Sequence, residues 1–361
     1  MRQRLLVLGS FGAALLALGA HSALGGSEPD PGAGLGERMG INEGVSVPKR
    51  RIEQEQLGLE EINPLLLEDA AAVRGTGAMW VRLHSSNHPF TSQARFAGFD
   101  AMDQWVRAVQ GEGLHAVVVL SPWSGTATAL ETDSYVVPDE QAWHAWVRSF
   151  VERYDLDGEQ DMPGLTEAIR HWEVDNEPDL KNSLAPRGSS IDPQSFCTIG
   201  QYGHVLDLTA AAIRDADPTA LVLNGGIYRP HRPHGEAWLK ALVEQHGDAI
   251  DIVNVHSYPE EIGPFLRGID TAVAVADGRP VWVTETSVSS ERGEAWQANM
   301  LEQMVTGAFE RGVERLFWHT LGDPPEHARR RVGMSQNALY HFGLQPKLAV
   351  ESWIRLATGA P

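Results

Sequence analysis

The feature that most constrains this chain is a regular exchange of short apolar runs with longer amphipathic ones. Runs at 39–47, 79–83, 114–120, 171–176, 220–224, 250–256, 281–284 and 315–319 have the length and apolar content of buried strands. Gly40 and Gly44 interrupt the first. Segments at 64–74, 100–110, 139–154, 202–216, 236–245, 265–276, 294–311 and 347–356 carry a helical pattern between or after them. Eight strand–helix pairs with right-handed crossovers predict an α/β protein, a single-domain (β/α)8 TIM barrel. An open doubly wound sheet is the alternative, and no Gly-rich phosphate loop follows the first strand to support it.

At 361 residues the chain is long enough for one such barrel. Its 29 basic and 48 acidic residues give a formal net charge of −19, which argues against nucleic acid and anionic membrane surfaces as partners and suits a neutral substrate. Arg2 and Arg4 precede an apolar run at 5–20, with small residues following, so residues 1–25 read as a secretory signal peptide. The mature protein is then expected outside the cytoplasm, secreted or periplasmic. An uncleaved anchor is the other reading, although the run falls short of the ~20 apolar residues a spanning helix needs. Residues 26–37 read as a flexible linker and 38–361 as the catalytic barrel. Cys197 is the only cysteine, which leaves no disulfide framework and no thiolate metal site. Oligomeric state is not written in the sequence.

Polar residues gather at or just after the strand ends: His84, Trp123, Asn176, Glu177, Asn224, His256, Tyr258, Glu285 and Trp318. In a barrel these ends converge on the face that carries the active site. Long connections at 121–138, 179–200 and 320–341 lie on that face and read as the walls of a cleft. Two carboxylates stand out. Glu177 lies in His171-Trp172-Glu173-Val174-Asp175-Asn176-Glu177-Pro178, where Pro178 should stop the strand and hold Glu177 extended. Alternation would put Glu173, Asp175 and Glu177 on one face. Glu285 ends Val281-Trp282-Val283-Thr284-Glu285. Two carboxylates on facing strands can divide the labour of glycoside cleavage, one protonated to assist the leaving oxygen and one ionised to attack the anomeric carbon.

Asn176-Glu177-Pro178, Thr284-Glu285, His256-Ser257-Tyr258 and Trp318 together resemble glycoside hydrolase clan A, the retaining (β/α)8-barrel glycosidases, over residues 39–356. Trp172-Glu173-Val174, Gly343-Leu344 and Pro346-Lys347 look most like the β-xylosidase and α-L-iduronidase family. The resemblance implies Glu177 as general acid/base and Glu285 as nucleophile, with no cofactor and a carbohydrate substrate. It implies that Asn176 holds a sugar 2-hydroxyl, that Tyr258 or His256 orients Glu285, that Arg82 keeps it ionised, and that Trp318 offers a flat face to a sugar ring. Trp123, His84 and Asn224 would line the cleft. Glu173 is expected as a buried barrel-interior or ion-paired residue, not as an acid catalyst. The bland alternatives are acidic loop residues for the glutamates, a structural ion pair for Arg82 and a satisfied core histidine for His256.

Two rival functions stand beside this one. A metal-dependent hydrolase could recruit His84, His88, His256 and Glu285, but no His-x-His ends the first strand and no His-Glu-x-x-His lies on a helix. A catalytically silent carbohydrate-binding barrel would have no use for both glutamates.

Overall fold

Apolar runs buried on both faces cannot stand at an open edge, and this chain removes its edges by closing the sheet. The computed structural model describes residues 34–45, 57–85, 98–122, 137–180, 197–325 and 336–360. The strands are β1 (Met39–Asn42), β2 (Trp80–His84), β3 (His115–Leu120), β4 (His171–Val174), β5 (Leu221–Asn224), β6 (Ile227–Tyr228), β7 (Val253–Ser257), β8 (Val281–Thr286) and β9 (Val313–His319). They form one nine-stranded parallel sheet in the order β5-β4-β3-β2-β1-β9-β8-β7-β6. Of these nine, the two-residue β6 is the one the sequence pattern does not announce.

The seam lies between β5 and β7. A single backbone bridge joins Leu223 to Ile252. Above it, side chains take over from the ladder: Asn254 N–H donates to Asn224 Oδ1 at 2.9 Å, and Asn224 Nδ2 donates to the Asn254 carbonyl at 2.9 Å. Asn224 is fully buried there. It closes the barrel and does not line the cleft, as its place at a strand end had suggested.

Around the barrel run α1 (Leu59–Gly75), α2 (Asp100–Gly111), α3 (Glu140–Glu152), α4 (Ile199–Ala216), α5 (Pro233–His246), α6 (Ile262–Val275), α7 (Glu294–Glu310) and α8 (Leu348–Thr358). Caps explain the boundaries that periodicity misses. Thr198 Oγ1 accepts from Gln201 N–H at 3.2 Å while Gln201 Oε1 accepts from Thr198 N–H at 2.8 Å, which starts α4 before residue 202. In α1, Glu61 Oε2 accepts from Gly58 N–H at 2.7 Å, so the helix begins upstream of Pro64. The carbonyl that Pro64 leaves unpaired belongs to exposed Glu60, where water can satisfy it.

Inside the barrel, Trp80, Val117, Leu223, Ile252, Trp282 and Phe317 form the lower layer. A Cβ at Gly40 would stand 2.4 Å from the Phe317 ring, so this glycine is a condition for filling the barrel. The next layer is polar. Arg82 and Glu173, both fully buried, pair through Nε–Oε2 at 2.7 Å and Nη2–Oε1 at 2.6 Å. Removing one partner of such a pair would strand a buried charge at a cost of roughly 3–5 kcal/mol.

Among the described residues, packing against the barrel is already present at residues 35–38, ahead of the boundary expected at 38. Leu35 N–H donates to the Leu356 carbonyl at 3.0 Å, and Arg38 Nη2 to the Val313 carbonyl at 2.6 Å. The segment read as a signal peptide, and the linker up to residue 33, lie outside the described residues. Among the described residues no helix is long and apolar enough to cross a membrane.

Candidate functional site

The end of β4 departs from the extended backbone expected of it. The strand stops at Val174, and Asp175 and Glu177 then take left-handed φ values of 64° and 46°. Glu173, Asp175 and Glu177 therefore do not share one strand face, and the residue before Pro178 is not extended. Non-glycine residues hold such conformations only where their surroundings impose them. Here Asp175 N–H donates to the Leu120 carbonyl at 2.8 Å, Ser121 Oγ donates to Asp175 Oδ1 at 2.9 Å, and Tyr202 OH donates to the Val174 carbonyl at 2.9 Å. The turn lifts Glu177 over the rim while Glu173 stays below with Arg82.

Glu285 is aimed by a different device. Alternation along β8 sends Trp282 and Thr284 inward, which would turn Glu285 outward. Register shifts between Val255 and His256 on one side, and between Val283 and Thr286 on the other, break the alternation. Irregularities of this kind re-aim a side chain. Asn42 Nδ2 then donates to Glu285 Oε2 at 2.9 Å, Arg82 Nη1 approaches the same oxygen at 3.3 Å, and Tyr258 OH donates to Oε1. Arg82 also donates from Nη2 to Asn176 Oδ1 at 2.7 Å and from Nη1 to Asn42 Oδ1 at 3.0 Å.

His256 stands between the two glutamates. Its Nδ1 lies 3.0 Å from Glu177 Oε1 and its Nε2 2.9 Å from Thr284 Oγ1. A Cβ at Gly226 would come within 2.0 Å of this ring, so glycine is what admits it. One oxygen of Glu177, one of Glu285 and one nitrogen of His256 all lie within 4.8 Å of one another. Both glutamates keep contact with solvent, with side chains 18% and 14% exposed.

The surroundings treat the charges unequally. Burial works to raise the Glu285 carboxyl, but His319, His256, Arg82 and the Tyr258 hydroxyl together outweigh it and bring the group from 4.5 to about 2. Burial lowers His256, and the charges of Glu285 and Glu177 more than reverse that, so its affinity for a proton is raised. Burial, reinforced by Glu285 and Glu177, holds the Tyr258 phenol well above its ordinary range and keeps it a donor.

Asp179, just past Glu177, takes the opposite path from Glu285. Burial, with the Glu177 charge, raises it from 3.8 to about 7, although both its oxygens accept from Tyr228 N–H at 3.1 and 3.2 Å. Between those values the native state holds a proton that the unfolded chain has released, so this contribution to stability is lost as pH rises through 7. Asp179→Asn keeps one acceptor for Tyr228 and removes the buried charge. Its melting temperature should exceed the wild type's at pH 8 and show no such gain at pH 5. An equal difference at both pH values would mean that Asp179 is not the titrating group.

The structure corrects other placements. Trp318 is fully buried on the helix side of β9, packs against Trp353 at 6.4 Å and donates from Nε1 to the Asn337 carbonyl at 2.9 Å. It offers no face to a sugar, because alternation turns Phe317 and His319 inward and Trp318 outward. His84 ends β2, half-buried at the rim. Trp123 and His88 lie outside the described residues, as does much of the three long connections. Sequence reading missed Asn42, His319, Asp179 and Tyr228. The first two are the last residues of β1 and β9, a signal hidden by setting the first strand's end at 47 and by choosing Trp318 over its neighbour.

Glu177, His256 and Glu285 have the residue types of a metal site, with one ligand atom of each within 4.8 Å of the others. Both ring nitrogens of His256 and both oxygens of Glu285 already have hydrogen-bond partners, and the Arg82 cation shares Glu285 Oε2. The set fits substrate and a proton better than a divalent cation.

Comparison with known proteins bears on this arrangement. A family model described as glycosyl hydrolase catalytic core matches residues 174–350, and that of glycoside hydrolase family 44 matches residues 71–228. No curated protein matches the sequence. Among solved structures, a family 39 glycoside hydrolase from Bacteroides cellulosilyticus WH2 is 16% identical with a TM-score of 0.59, over 90% of this chain and 64% of that one. An exo-β-1,4-mannosidase from Opitutaceae bacterium strain TAV5 is 17% identical with a TM-score of 0.64, over 91% and 61%. A GH5_18 protein from Streptomyces cattleya in complex with GlcNAc is 14% identical with a TM-score of 0.66, over 91% and 82%. The chain thus spans under two thirds of the length of the first two. The fold is the single-domain (β/α)8 barrel of glycoside hydrolases. Two glycoside hydrolase family models thus match along one such barrel, one over its first part and one over its second.

Proposed function

We propose that this protein cleaves O-glycosidic bonds of a carbohydrate with retention of anomeric configuration, using Glu285 as nucleophile and Glu177 as general acid/base. The supporting observation is the pair itself. Their nearest ligand oxygens lie within 4.8 Å, on the side of the ~5–5.5 Å separation of retaining enzymes and short of the ~6.5–9.5 Å that leaves room for an inverting water. Glu285 is held ionised, as a nucleophile must be, by His319, His256, Arg82 and the Tyr258 hydroxyl, and Glu177 is bonded to His256.

In the first step Glu285 forms a bond to the anomeric carbon as the glycosidic C–O bond breaks, and the leaving oxygen takes the proton of Glu177. In the second, Glu177 takes a proton from water, which attacks the anomeric carbon and releases Glu285 as carboxylate. Asn176, oriented by Arg82, is placed to hold the 2-hydroxyl of the sugar under attack. No cofactor is required. The protein would act after export, as the N-terminal apolar run suggests, and the motifs at 172–174 and 343–347 favour the β-xylosidase and α-L-iduronidase family within the clan. A panel of 4-nitrophenyl glycosides including β-D-xylosides and α-L-iduronides, followed by NMR of the first-formed anomer, tests this. Turnover with retention is expected; turnover with inversion would overturn the double displacement.

A further inference from the structure

The amide of Asn42 is fixed by what surrounds it. Arg82 Nη1, 3.0 Å from Asn42 Oδ1, can only donate, so the oxygen must face it. The NH2 group then faces Glu285 Oε2 at 2.9 Å and His319 Nδ1 at 3.0 Å. Glu285, held ionised, only accepts, and the second amide hydrogen goes to His319. In the neutral ring His319 Nδ1 must therefore offer a lone pair, which places the ring hydrogen on Nε2. The ring is half-buried at the end of β9 and meets Tyr258 edge-on at 6.1 Å. Among the described residues nothing accepts from its Nε2. A side chain whose tautomer is set from behind, and whose one donor is left over beside the nucleophile, is built to donate outward.

We infer that His319 Nε2–H donates to a hydroxyl of the sugar ring attacked by Glu285, and that Asn42 ties this contact to the placement of Glu285. The contacted hydroxyl is a second one beside that assigned to Asn176, whose Oδ1 accepts from Arg82 Nη2 while that of Asn42 accepts from Nη1. The substrate is then a glycoside bearing a hydrogen-bond acceptor at a second ring position, which gives the site a means of choosing among sugars. This rests on the proposal that Glu285 is the nucleophile.

Two amide replacements separate the two ends of the imidazole. His319→Asn can present an oxygen where Nδ1 stands but does not reach to the place of Nε2; His319→Gln can present an amide N–H there but gives up the acceptor for Asn42. On whichever 4-nitrophenyl glycoside the wild type hydrolyses fastest, the Asn variant should raise KM on the order of tenfold with kcat held within a few-fold. The Gln variant should keep KM near the wild-type value and lower kcat, as the Asn42–Glu285 contact loosens. Thermal melts check that both fold. Wild-type KM in the Asn variant would show that no sugar hydroxyl is held, and the same parameter shifting in both variants would show that the ring acts through bulk alone. Either result overturns the inference. Absence of turnover by the wild type on every glycoside would count against the glutamate pair, a failure visible before His319 is touched.

Discussion

Glu285→Gln should abolish turnover of aryl glycosides, by on the order of 10⁴-fold or more, while the protein still folds, with a melting temperature at neutral pH lowered by the loss of a charge that the fold stabilises. The expectation follows from what each oxygen of Glu285 touches. Oε2 accepts from Asn42 and Arg82, and Oε1 accepts from Tyr258. Glutamine has the same shape and can turn its carbonyl oxygen to Asn42 and Arg82. Its NH2 then faces Tyr258, whose hydroxyl can rotate and accept. Bonding survives the change, and nucleophilicity does not.

The same variant tests the electrostatics. Because the folded carboxyl is held at about 2 against 4.5 in its ordinary state, Glu285 contributes stability that is present above 4.5 and lost as pH falls toward 2. The wild type should accordingly lose stability faster than Glu285→Gln on acidification through that window. Parallel acid-denaturation curves would mean that the cations around Glu285 do not hold its charge. Retained turnover in the variant would end the assignment of the nucleophile, and a silent wild type that still binds sugar would favour the carbohydrate-binding reading.

What could be read in advance, and what could not, divides along physical lines. Strand–helix alternation is a property of local composition, so runs such as Val117-Val118-Val119 announce a closed parallel barrel without any tertiary information. Carboxylates at strand ends are equally local, which is why Glu177 and Glu285 stand out. Positions set by a phase of one residue are not legible in that way. Trp318 and His319 differ by one step along β9, and that step separates the helix layer from the cleft. Asn224 has the type and place of a cleft residue, but the missing ladder between β5 and β7 claims its amide for closure. The register shifts that aim Glu285 depend on both neighbouring strands, and the left-handed backbone at Asp175 and Glu177 depends on Leu120, Ser121 and Tyr202 from elsewhere in the chain. No reading of β4 alone supplies them.

Glu177→Ala carries the second large effect, and its signature is unequal loss. A leaving group of low basicity departs without a proton, whereas an alkyl or sugar oxygen does not. Hydrolysis of unactivated glycosides should fall on the order of 10²–10⁴-fold, and formation of the glycosyl–Glu285 ester from a 2,4-dinitrophenyl glycoside much less. The ester then accumulates, because water at the second step has lost its base. Azide needs no base, and the space vacated by the carboxyl next to His256 admits it. Added azide should restore release from the ester and yield a glycosyl azide with the configuration of the substrate. Equal losses on both classes of leaving group, with no response to azide, would move the acid/base role elsewhere. The first residue to examine would then be Asp179, the neighbouring carboxyl that burial raises to about 7.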